Sequence, residues 1–236
     1  MRAYLLMAMF VTSLASAGWS DYEEKRDLEL DAAGIDMLAI RSGPGSLDVR
    51  GVDGLDGIRV EAKIVVPRKD DADAQQYLQK NMNLSLQRDG SVAKLDALFD
   101  SHLFGWNGDA YIALEVSVPK GMAVDIEDSS GSIELADTEG DVSIDDGSGS
   151  IEVRNVANLK IDDGSGSITV SDASGDVSIV DGSGSITVRH VGGSVTLDDG
   201  SGSMKVSDVE NDLVIVDDGS GGVSISDVRG KVDQKT

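Results

Sequence analysis

The chain has 236 residues, 43 acidic and 20 basic, for a formal charge of −23, and it contains no cysteine. Disulfides and thiolate metal sites are excluded, and the charge repels the phosphate backbones that nucleic-acid binders must neutralise with clustered Lys and Arg. Hydrophobic residues make up 40% and aromatics only 4%, beside 28 glycines, which predicts a thin aliphatic core.

Residues 1–17 have the layout of a signal peptide. Met1 and Arg2 give a basic start, Ala3 to Leu14 is apolar but too short to span a bilayer, and Ala15-Ser16-Ala17 fits small-x-small cleavage. No cysteine follows, which excludes lipid attachment at that point, and no later apolar stretch reaches the roughly 18 residues of a membrane helix. The expectation is an exported protein of the periplasm, the cell surface or the medium, with no transmembrane segment after cleavage.

Over residues 18–66, apolar-x-apolar triplets at Leu28/Leu30, Leu38/Ile40, Leu47/Val49 and Ile58/Val60 predict about two initial turns of a repeat. The period then breaks over 67–111. Asp71 to Met82 carries helical spacing at Ala72, Ala74, Tyr77 and Leu78, while Leu84/Leu86 and Val92/Leu95 flank Arg88-Asp89-Gly90 as a hairpin. This segment is expected to be an irregular insertion or cap. A longer alternating strand, Ile112 to Val118, closed by Pro119, returns the chain to the repeat.

Over 112–236 the repeat is regular. From Val124/Ile126 to Val223/Ile225, twelve triplets follow each other at 8 to 10 residues and alternate in character, giving a unit of about 18 residues. Period two puts both apolar side chains of a triplet on one face, so these are short strands with one wet face. A third apolar column, Val156, Ala173, Val191, Val209 and Val228 with Thr138 in the first turn, stays in phase. A coil turns such a column inward at a corner; an antiparallel meander has no reason to keep it. Ordering 18 residues outweighs the burial of about five aliphatic groups, so one turn cannot fold alone and stacking must supply the rest. The predicted fold is all-β: a right-handed parallel β-solenoid, or β-helix, with an irregular insertion. Six turns at roughly 4.8 Å give a rod section of about 29 Å.

The run Leu114-Glu115-Val116-Ser117-Val118-Pro119-Lys120-Gly121, followed by Val124-Asp125-Ile126 and then by Ser-Gly-Ser-Ile corners at regular intervals, resembles the bacterial putative-adhesin family with head-GIN-type β-solenoid repeats. The likeness covers nearly all of the chain after the signal segment. It implies an envelope or exported protein with a parallel β-helical fold. That family is a domain of unknown function and supplies no catalytic residue to carry over.

Four features are candidates for chemistry. Asp128, Asp146, Asp163, Asp181, Asp199 and Asp218 each lie five residues before a triplet, mostly preceded by a second acid. Asp before Gly-Ser shapes a turn by accepting backbone N–H groups, and a divalent cation such as calcium between stacked carboxylates is the sharper alternative. Calcium-binding nonapeptide rolls place Asp after the glycines; here it comes before them. Second, Ser132, Ser150, Ser167, Ser185 and Ser203 align, but Glu134, Glu152 and Lys205 interrupt the Thr169/Thr187 array beside them, which favours solvated cross-strand ladders. Third, Phe99, Phe104, Trp106 and Tyr111, with His102 among them, either pack under the irregular segment or form a partner surface for a protein or glycan. Last, His102 and His190 are the only histidines and no nucleophile elbow occurs, so no catalytic residue and no cofactor is expected.

Together these features predict a non-enzymatic exported envelope protein, an adhesion or surface-interaction module. The alternatives are a periplasmic structural or envelope-stress-associated protein and a calcium-responsive binding module.

Overall fold

The computed structural model describes residues 21–67, 70–100 and 110–235. The segments expected to hold the signal peptide and the residues His102, Phe104 and Trp106 lie outside them. The described residues form two ten-stranded sheets facing one another. In sheet order, the first contains β1 (Tyr22–Asp31), β4 (Gly57–Val66), β7 (Tyr111–Pro119), β3 (Gly45–Val52), β9 (Gly131–Ala136), β11 (Gly149–Val156), β13 (Gly166–Ala173), β15 (Gly184–Val191), β17 (Gly202–Val209) and β19 (Val223–Val228). The second contains β20 (Val232–Gln234), β18 (Leu213–Asp217), β16 (Val195–Asp199), β14 (Val177–Asp181), β12 (Leu159–Asp163), β10 (Val142–Asp146), β8 (Ala123–Asp128), β2 (Met37–Ser42), β6 (Val92–Phe99) and β5 (Met82–Asp89).

From β8 to β19 the chain alternates between the sheets, one strand in each per turn, and every neighbouring pair within a sheet is parallel. This is the β-solenoid that the 18-residue period requires. Ile133, Ile151, Ile168, Ile186 and Met204 stand in one register column and are at most 2% exposed, while Val223 in the last turn is half-buried. The third column is inward too: Thr138, Val156, Ala173, Val191 and Val209 are buried. The bend that turns it in comes from the residue just before. Asp137, Asn155, Asp172, His190, Asp208 and Asp227 each hold φ between 53° and 63°. Asp, Asn and His tolerate this left-handed backbone better than most side chains.

The N-terminal portion departs from the expected two initial turns. Only β2 and β3 continue the coil, and their neighbours are not the next strands in the chain. β2 lies between β6 and β8, and β3 between β7 and β9, all parallel. The turn built from β6 and β7 therefore stacks on the outer side of the β2–β3 turn. The triplets Leu28/Leu30 and Ile58/Val60 belong to β1 and β4, which pair antiparallel with each other, and β4 pairs antiparallel with β7. β5 pairs antiparallel with β6 on the opposite sheet. Reversing strand direction on both sheets ends the parallel stack and covers an edge that would otherwise offer free backbone donors and acceptors.

The helix α1 (Asp71–Asn81) sits between β4 and β5. Asp70 caps it by accepting from Asp73 N at 2.9 Å, and Ala74 and Leu78 face the core. The Tyr77 and Phe99 rings meet with centroids 5.9 Å apart.

Candidate functional site

The acidic corner lies inside the rod. Each of β8, β10, β12, β14 and β16 alternates inward and outward, and its final Asp continues the inward phase of the two apolar residues before it. Asp128, Asp146, Asp163, Asp181 and Asp199 are Cα partners in sequence across the sheet, and each is at least 92% buried. In the last four, Oδ1 accepts from the backbone N–H two residues on: Ser148 at 3.2 Å, Ser165 at 3.2 Å, Ser183 at 3.0 Å and Ser201 at 3.0 Å. The turn-shaping role expected of these aspartates is thus visible in the bonds. Oδ2 of the same four, and Oδ1 of Asp128, have no protein partner.

Burial pushes the Asp146 and Asp181 carboxyls up to about 6 and raises those of Asp128, Asp163 and Asp199. Neighbouring carboxylates push Asp146, Asp163, Asp181 and Asp199 the same way, and the backbone donors pull against them. Asp218 leaves the row. Val216 is an extra residue in β18, so Asp198 pairs with Asp217, and Asp217 rather than Asp218 accepts the turn bond, from Gly219 N at 2.9 Å. Asp218 instead accepts from Gln234 Nε2 at 2.9 Å. Among the described residues, no three Asp, Glu or His side chains converge on a point that could hold a metal ion.

A second acidic feature lies on the outer face of the first sheet. Asp27, Glu61, Glu115, Asp48, Glu134 and Glu152 are successive Cα partners across β1, β4, β7, β3, β9 and β11. Sequence reasoning finds only Glu134 and Glu152, because the other four come from strands whose sheet order differs from their chain order. Farther along, the same row becomes Thr169, Thr187, Lys205 and Ser224. Like charges directly opposite one another destabilise a sheet. Arg50 and Arg154 relieve this at two points, at 3.1 Å from Asp48 and 3.5 Å from Glu152. Glu61, Glu115 and Glu134 make no ion pair among the described residues. A cavity of about 280 Å³ lies on this part of the face, lined by Asp27, Asp48, Glu61, Glu115 and Glu134 together with Lys25 and Lys63.

The aromatic candidates do not form one described surface. Phe99 is half-buried against Tyr77, whereas Tyr111 is 37% exposed at the start of β7. The serine column is in register along the same face, and Ser185 and Ser203 hydroxyls bond at 3.3 Å. His190 is exposed, with Nδ1 3.3 Å from Asp172 and Nε2 3.5 Å from Asp208. No helix among the described residues is long and apolar enough to cross a membrane.

No family model matches the chain, and no curated protein matches it. Among solved structures it is similar to a putative cell adhesion protein from Clostridium sporogenes ATCC 15579, at 11% identity over 91% of this chain and 100% of the other, with a TM-score of 0.35. It is also similar to two proteins from Parabacteroides distasonis ATCC 8503. One is a putative lipid binding protein, at 16% identity over 91% of this chain and 97% of the other, TM-score 0.48. The other is a putative adhesin, at 13% identity over 90% and 97%, TM-score 0.34. The chain itself has the β-solenoid architecture that the resemblance in its own sequence implies.

Proposed function

We propose that this chain is a non-enzymatic surface-interaction module that acts outside the cytoplasm and engages a cationic protein segment with the outer face of its first sheet. The observation that carries the proposal is the row from Asp27 through Glu61, Glu115, Asp48 and Glu134 to Glu152. Five consecutive cross-strand pairings of like charge oppose folding, and a partner bearing Lys and Arg at strand spacing would relieve that repulsion on contact. The row crosses six adjacent strands, which suits an extended segment better than an enclosed small molecule. Export rests on the layout of residues 1–17, and an adhesion role is the finer form of the same reading. The inward row of aspartates supports a calcium-responsive module less well, because it is a line of carboxyls rather than a cage.

The test is titration calorimetry with an oligolysine peptide at low and at physiological salt. Glu61→Gln, Glu115→Gln and Glu134→Gln together should weaken binding about tenfold or more, by the loss of close charge pairs. The control neutralises Asp145, Asp162 and Asp198, which project outward from the other sheet, and should change binding less than about threefold. Equal losses in both variants would reduce the effect to net charge and sink the proposal. Protease accessibility of the chain on intact cells tests the external location.

A further inference from the structure

We infer that the inward carboxyls of Asp128, Asp146, Asp163, Asp181 and Asp199 form a proton-binding row inside the rod, so that folding takes up protons and mild acid tightens the coil. The geometry leaves few other ways to accommodate them. Each residue is at least 92% buried, each belongs to a different turn, and each has one oxygen with no protein donor. An ionised buried oxygen without a protein donor is strongly disfavoured, and binding a proton relieves it.

The surroundings point to the proton. The groups that act on the row are the Ser42 hydroxyl beside Asp128, the backbone N–H groups of the Gly-Ser turns, the flanking acids Asp145, Asp162 and Asp198, and Asp217 of the following turn. None is basic. Glu127 pairs with Asp145 on the outward side of the same strands, and Val180 takes the corresponding place beside Asp181. At a strand spacing of roughly 4.8 Å, any point on the row is near only two carboxyls, or four oxygens at most, short of the roughly six to eight that calcium takes. Because neighbours interact, the five titrate as a group rather than as separate sites.

Asp146 and Asp181 reach about 6 in the folded chain, against roughly 3.9 for an unfolded Asp. Between those values the folded state holds more protons than the unfolded one, so stability falls as pH rises. The contribution is fully present below about pH 4 and is lost as pH climbs through about 6. A surface carboxylate held by a salt bridge gives the opposite sign.

The experiment is urea unfolding of the full chain across about pH 4.5 to 7.5 at constant ionic strength. Wild type should be less stable at the upper end, with a slope corresponding to about two protons taken up on folding near pH 5. Asp146→Asn, Asp163→Asn and Asp181→Asn together keep an oxygen for the turn bond but cannot ionise. That variant should lose most of the proton uptake and exceed wild type in urea midpoint at about pH 7.5. A wild-type stability that rises with pH, or an unchanged slope in the variant, overturns the inference. Should the variant not fold, infrared spectroscopy of the wild type decides: the carbonyl band of a protonated carboxyl must persist near pH 6, and its absence overturns the inference. Calcium stabilisation at about pH 7.5 beyond a matched monovalent salt would replace the proton with a metal and equally overturn it.

Discussion

Asn155 Nδ2 donates a 2.8 Å hydrogen bond to Asp137 Oδ1 one turn away, and both residues hold left-handed backbone, at φ 53° and 63°. The bond ties two consecutive bends together. Asn155→Val would remove the bond and place a β-branched side chain where it clashes with its own carbonyl. Chemical denaturation should show a loss of about 2–3 kcal/mol, while Asn155→Gly should lose about 1 kcal/mol or less. Equal losses would mean that backbone strain has no part in the bend.

The core column has no room for charge. Ile168 is fully buried, with Ile151 and Ile186 as register partners on either side. Ile168→Ala should cost about 2–5 kcal/mol by cavity formation. Ile168→Asp should abolish cooperative unfolding, because it leaves an unpaired carboxylate between two aliphatic neighbours. Circular dichroism melting distinguishes the two variants.

Backbone approach at the Gly-Ser-Gly corner is tighter than any side chain allows. A Cβ on Gly166, which sits at φ +154°, would stand 1.6 Å from the Gly149 carbonyl oxygen. Gly166→Ala should therefore destabilise by more than about 3 kcal/mol, or prevent folding, since both backbones belong to stacked strands that cannot separate without breaking the ladder. Gly121 has open space around its would-be Cβ, so Gly121→Ala should change the thermal midpoint by only a degree or two. Comparable losses at both positions would contradict the steric account.

At the covered end of the coil, Phe99→Ser should lower stability by about 1–3 kcal/mol, because the half-buried ring packs on Tyr77 of α1 and helps hold the helix to the β5–β6 hairpin. A variant of unchanged melting temperature would show that the ring serves a surface instead.

The coil from Val124 onward was legible because one physical rule repeats there. Ile168 and Ile186 point inward for the same reason, and a period of 18 residues aligns them without further information. Local rules fail where pairing is nonlocal. Nothing around Leu47 shows that its partners will be Leu114 and Ile133, since either neighbour depends on how the intervening chain doubles back. The same blindness hid the outer acidic row, which becomes continuous only when β1, β4 and β7 are set beside β3. The inward aspartates were readable as a column, but their burial was not. An Asp before Gly-Ser is ordinary at an exposed turn, and only the phase of β8, β10, β12, β14 and β16 shows that this corner faces in. Asp218 falls out because Asp217 takes the turn bond in its place, beside the register shift at Val216 that is visible only against Asp198 and Asp217.

The position of β2 and β3 divides the rod into a part whose length is free and a part whose length is fixed. Beyond β11, each turn is bordered by its immediate predecessor and successor in the chain, so removing residues 164–181 would join Asp163 to Gly182 and recreate the same Asp-Gly-Ser-Gly corner with one rung fewer. Such a deletion should leave a shorter rod that still folds, and duplicating the same segment should lengthen it. Residues 37–52 admit no such change. They are a keystone laid early in synthesis and locked from both sides only after β6, β7, β8 and β9 have been made, so every later turn inherits its register from a pairing between distant parts of the chain.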